Sequence, residues 1–167
     1  MDSIDGRHLL IDVDSQSLTL FEDEKAVATW PVSTARNGLG ERYGSECTPR
    51  GRHRVRLKIG GGCPEGTVFI ARRPTGERYS EALAAQAPQR DWILTRILWL
   101  TGCESGLNRG ADCDTLRRYI YIHGCPDSEP IGRAASHGCI RMRNADVVQL
   151  FDRIDNGCPV LIRGHTG

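Results

Sequence analysis

The chain has 167 residues, enough to bury a sizeable core without disulfide or metal support, and of the size of one domain. A formal charge of +1 argues neither for a polyanion such as nucleic acid nor for an acidic partner, and no apolar run is long enough to span a bilayer. The cations are unevenly chosen, with arginines far outnumbering the two lysines, Lys25 and Lys58, and arginine's planar fork suits carboxylates.

In chain order, Leu9–Val13 and Ser17–Phe21 read as strands joined by the polar turn Asp14-Ser15-Gln16, and Ala26–Val32 reads as a third, completing an N-terminal meander. From Arg52 the sequence alternates, so that Val55, Leu57 and Ile59 should face one side and Arg54, Arg56 and Lys58 the other, a strand with a solvated basic face. The loop Gly60-Gly61-Gly62-Cys63-Pro64 has no helix behind it and is rejected as a phosphate cradle. Thr67–Ala71 reads as a short strand, Arg73-Pro74-Thr75-Gly76 as a turn, and Ser80 as the cap of a short helix ending before Pro88. Trp92–Leu100 is apolar and β-prone, the pattern of a buried central strand. The polar stretch 101–118 is placed to form a lid or rim. Tyr119–Ile122 is a strand, and Asn144 can cap a helix bearing Val147, Leu150, Phe151 and Ile154, stopped by Gly157 and Pro159. No linker or repeat divides the chain, so one domain over residues 1–167 is expected.

The chemistry concentrates in Tyr119–Asn144, which contains His123-Gly124-Cys125 and His137-Gly138-Cys139. A histidine at the end of a strand and a cysteine in a glycine-containing turn are the parts of a Cys/His nucleophilic pair, which meets in space rather than in sequence. The one-residue gap within each His-x-Cys pair is too short for the usual structural zinc spacing, and no metal or organic cofactor is indicated. Seven cysteines, at 47, 63, 103, 113, 125, 139 and 158, leave at least one unpaired in a monomer and favour a reducing compartment. Met1–Gly6 has neither the basic nor the apolar region of a leader, so a cytoplasmic address is expected, or a periplasmic one if an upstream signal peptide has been removed.

The block Ser136-His137-Gly138-Cys139-Ile140-Arg141-Met142, with Asn144 and Asp146 after it, resembles the signature of the YkuD-type L,D-transpeptidase catalytic domain. The resemblance extends to Ile122-His123-Gly124, to the Val160–Ile162 strand, and to the landmarks Val32-Ser33-Thr34 and Thr48-Pro49-Arg50-Gly51, while Ala35 and Cys125 depart from the common Gly and Thr. It implies a mainly β (β-rich α+β) fold, a compact mixed-sheet sandwich or barrel with one or two short helices.

For the site the resemblance implies Cys139 as nucleophile and His123 as general base. Ser136 and His137 would order the turn, with Gly138 giving it its backbone geometry, and turn amides would hold the oxyanion. Arg141 would hold the site or a substrate carboxylate, and Asn144 is a substrate-contact candidate whose alternative role is the helix cap. Cys125, near His123 in sequence, could pack or resolve an oxidised Cys139.

The implied substrate is a peptidoglycan stem tetrapeptide or muropeptide, cut between the diamino acid at position three and D-Ala at position four, with carbapenem acylation of Cys139 expected. Attack of water on the acyl-enzyme would make an L,D-carboxypeptidase of cell-wall recycling, which the expected address favours. Attack of an amine would make a periplasmic transpeptidase forming 3-3 cross-links. A noncatalytic peptidoglycan- or zinc-binding module is the rival of another class, and it would leave Cys139 no more reactive to alkylation than Cys47 or Cys158.

Overall fold

The computed structural model describes residues 6–165; Met1–Asp5, most of the stretch on which the expected address rests, lie outside them. The meander forms as its alternation requires: β1 (Arg7–Asp12), β2 (Ser17–Glu22) and β3 (Lys25–Pro31) pair antiparallel, burying Leu9, Ile11, Leu18, Leu20 and Trp30. β4 (Gly51–Ile59), β5 (Thr67–Ile70), β6 (Arg73–Arg78), the short helix α1 (Glu81–Gln86) and β7 (Ile93–Gly102) follow. After the long polar stretch come β8 (Tyr121–Gly124), β9 (Ile140–Met142), helix α2 (Asn144–Arg153) and β10 (Pro159–Arg163).

The main sheet runs β3-β2-β1-β10-β4-β7-β5-β6, with β8 paired to β7 and β9 paired to β8. It is mixed, since β1 with β10 and β8 with β9 are parallel and the other pairs antiparallel. Among the described residues the sheet does not close, and a mainly β fold with a mixed sheet and two short helices forms as expected. β7 is apolar along most of its length because it pairs with β4, β5 and β8 and is largely covered on both faces. Helix α2 turns Val147, Leu150 and Phe151 into the same core as Leu98, Ile122, Ile140 and Met142, which backs β8 and β9 with packed side chains.

The expected alternation of β4, one turn and one helix cap fail, each for a physical reason. A register shift between Val55 and Leu57 interrupts the β4 alternation and leaves Leu57 exposed. Arg73–Gly76 is not a turn: it opens β6, at the end of the sheet where Pro74 is tolerated, and the chain reverses at Ala71 and Arg72, both at positive φ (49° and 65°). Asn144 does not cap α2. The cap position is Arg143, with no side-chain cap, while Asn144 Oδ1 accepts the Thr95 hydroxyl at 2.5 Å.

Candidate active site

β8 and β9 run parallel with His123 opposite Arg141, so the intervening chain must cross over, and it delivers Cys139 immediately before β9. The result is a cavity of about 120 Å³ lined by Cys139, His123, Ser136, His137 and Arg141 together with Asp91, Arg118, Tyr119 and Ile120. His123 and Cys139, 16 positions apart in sequence, thus share one concave site.

The cysteine turn is held from both sides. The Ser136 hydroxyl donates to the Cys139 carbonyl (2.6 Å) and accepts the Gly138 N–H (3.2 Å), pinning the turn across its width. Gly138 sits at φ 130°, and a Cβ there would press on the Cys47 carbonyl and the Ile120 side chain, both 3.3 Å away. The Thr48 hydroxyl donates to the Gly138 carbonyl (2.9 Å) and accepts the Ala35 N–H (3.0 Å). Ser33 exchanges backbone bonds of 2.9 Å with Arg141, and the Ser136 N–H donates to the Thr34 carbonyl at 2.9 Å. The Val32-Ser33-Thr34 and Thr48 landmarks therefore brace the turn, a role their position in the sequence does not disclose.

The His123 ring is buried, and its Nδ1 lies 2.6 Å from the Gly124 carbonyl oxygen. A carbonyl can only accept, so Nδ1 carries the proton and Nε2 of the neutral ring keeps its lone pair. Burial lowers the His123 pKa, outweighing the Gly124 carbonyl and Asp91, which raise it. Burial also pushes the Cys139 thiol up to about 11, against a smaller lowering by the Tyr121 N–H that donates to its Sγ at 3.3 Å. The thiol in turn donates to the Tyr119 carbonyl at 3.4 Å. The resting pair is thus a neutral thiol and a neutral imidazole, and no hydrogen bond joins them among the described residues.

Of the three amides in the turn, that of Gly138 is taken by Ser136 Oγ, whereas those of His137 and Cys139 donate to no group among the described residues. These two are the free donors available to an oxyanion. His137 itself is exposed at the cavity wall.

Arg141 is nearly buried and is paired with Glu129 (3.3 Å) and Asp91 (3.4 Å) in an internal ion-pair network. Asn144, the substrate-contact candidate, does not line the cavity, and its side chain accepts the Thr95 hydroxyl. Cys125 does not line it either. Its buried thiol, raised to about 12 by desolvation, lines a separate cavity with Pro126, Asp127, Glu129, Ile131 and Arg143, so the resolving-cysteine expectation has no geometric support. Asp91 and Arg118 escape sequence reading because they come from irregular segments, and Tyr119, expected to open a strand, lies outside β8 at positive φ (56°).

The YkuD family model, described as the L,D-transpeptidase catalytic domain, matches residues 6–162. YqjB of Bacillus subtilis, which carries an L,D-transpeptidase name, is 51% identical over 156 residues, covering 93% of this chain and 70% of the relative. Among solved structures, an L,D-transpeptidase fragment from Xylanimonas cellulosilytica superimposes with a TM-score of 0.60 at 23% identity over 98% of this chain and 63% of that one. L,D-transpeptidase 3 of Mycobacterium tuberculosis, in complex with a faropenem-derived adduct, gives 0.56 at 18% identity over 95% of this chain and 60% of that one. This chain therefore spans less than two thirds of either solved chain, and at these identities the likeness is one of fold.

Proposed function

The chain belongs to the YkuD family of L,D-transpeptidase catalytic domains, and on that premise we propose that it is a cysteine peptidase that cleaves the L,D bond of peptidoglycan stem tetrapeptides through an acyl-enzyme. The observation that carries the reading is the cavity in which the Cys139 thiol, an imidazole with its Nε2 lone pair available and two uncommitted amides converge. The Cys139 sulfur attacks the carbonyl carbon of the third residue as its proton passes to His123 Nε2. The carbonyl oxygen becomes an oxyanion and takes hydrogen bonds from the N–H groups of Cys139 and His137; losing one such donor costs about 10²–10³ in rate. Collapse breaks the C–N bond, His123 returns the proton to the departing amine, and free D-alanine leaves a thioester on Cys139. Because the resting thiol is protonated, its proton must reach His123 in the course of acylation.

In the leading reading water then attacks the thioester, making the protein an L,D-carboxypeptidase of soluble muropeptides. All seven cysteines are unpaired, which supports work in a reducing, cytoplasmic compartment. A second reading, transfer to the amine of another stem to form 3-3 cross-links, is favoured by the L,D-transpeptidase names of the relatives. Mass spectrometry of a disaccharide-tetrapeptide incubated with the protein separates them. Conversion to tripeptide and D-alanine without dimers supports hydrolysis; 3-3 linked dimers would replace it with transpeptidation.

A further inference from the structure

The two arginines of the cavity are in opposite electrical situations. Arg141 faces two carboxylates, Asp91 and Glu129, so its end of the cavity carries more negative than positive charge. Arg118, half-buried beside Cys139 in the same cavity, has no carboxylate within ion-pair distance among the described residues. Its guanidinium donates instead to neutral acceptors, the carbonyls of Gly40 (3.3 Å) and Cys47 (2.7 Å) and the Ser45 hydroxyl (3.4 Å). These fix the head group in place and leave two of its five N–H groups unused; the carboxylate of Glu41 acts on it only from beyond ion-pair distance and is itself bonded to Arg50 at 2.8 Å. Cys139 feels the charges of Asp91, Arg141 and Arg118, whereas His123 feels those of Asp91 and Arg141, so the thiol lies between the two ends.

We propose that Arg118 is the specificity residue that binds the free α-carboxylate of the departing D-amino acid. The argument rests on the L,D-peptidase reading above and deepens it. A terminal carboxylate is repelled from the Asp91–Glu129 end and is drawn to Arg118, the cavity guanidinium without an ion-pair partner among the described residues. Placed there, the C-terminal residue puts its scissile bond over Cys139, and a stem extended beyond that residue loses the contact. Arg118 makes no bond to the reacting atoms and acts by recognising the substrate's end.

The test compares two donors, a stem tetrapeptide ending in D-alanine and the same peptide ending in D-alaninamide, with the wild type, Arg118→Gln and Arg118→Lys. A charge-assisted contact should give the wild type about a 10- to 100-fold preference in kcat/KM for the free acid. Arg118→Gln should bring the ratio close to 1, mainly through KM for the acid, and Arg118→Lys should restore part of it. Loss of the bonds to Gly40 and Cys47 would slow both donors alike and leave the ratio intact, so a merely structural arginine gives an unchanged ratio and overturns the proposal. A wild type that does not distinguish acid from amide overturns it as well, with the L,D-peptidase reading still standing. Release of neither D-alanine nor D-alaninamide by the wild type overturns both.

Discussion

Titrating the reactivity of Cys139 in the free protein separates a neutral resting pair from a preformed thiolate–imidazolium pair. Burial holds the thiol near pKa 11, with a single N–H, from Tyr121, directed at the sulfur. At pH 7 that leaves about one thiolate in 10⁴, against about 3 in 100 for an ordinary cysteine of pKa ~8.5, a deficit of about 300-fold. Iodoacetamide labelling followed by peptide mapping, run from pH 6.5 to 10, should show the Cys139 rate rising about tenfold per unit throughout, below a glutathione reference at neutral pH. The enhanced alkylation that sequence reasoning takes as the mark of an active-site thiol is thus not expected without a substrate-shaped acylator. A plateau with a midpoint below about pH 8 would refute the argument, since it would require an ion pair at rest.

Other perturbations follow from the same geometry. His53 is buried, bonded through Nδ1 to the Gly51 carbonyl and through Nε2 to Thr115, and desolvation lowers its pKa to about 4. Its depressed folded pKa contributes stability that is present above about pH 6.5 and lost as pH falls through 4, on the order of 3 kcal/mol; urea unfolding at pH 7 and pH 4.5 should show the loss, and His53→Gln should flatten it. Asn108, fully buried, accepts the Glu104 N–H and donates to the Arg50 and Arg52 carbonyls, so Asn108→Ala should cost about 3 kcal/mol in the same assay. Gly124→Ala would drive a Cβ against Asn144 Oδ1 and to 2.7 Å from the Leu94 carbonyl oxygen, displacing the segment next to His123; D-alanine release should fall at least tenfold even where the variant remains folded by circular dichroism. Imipenem should add its full mass to the wild type and none to Cys139→Ala, by intact-protein mass spectrometry.

Much of the fold is legible because burial writes itself into alternation. The β1 and β2 runs and the apolar β7 run are read correctly because each is committed to a covered face. Tertiary bonding overrides local chemistry elsewhere. Asn144 is a good cap by composition, but Thr95 lies within 2.5 Å of its side chain and claims it. Pro74 and Gly76 signal a turn, yet an edge position absorbs both in β6. The same divide runs through the site. His123 and Cys139 are marked by strand-end and turn patterns, and they meet in one cavity. Arg118 and Asp91 arrive from irregular chain far from the cysteine turn, where no period records which way a side chain faces. Thr48 and Ser33 are visible only as landmarks until their bonds to Gly138 and Arg141 are seen.

The most direct test of the account is intact-protein mass spectrometry during turnover of a stem tetrapeptide, with peptide mapping of any adduct. The account predicts a transient adduct equal to the substrate less D-alanine, located on Cys139 and absent, together with all turnover, from Cys139→Ala. An adduct on another residue, or D-alanine release that survives in Cys139→Ala, would contradict it.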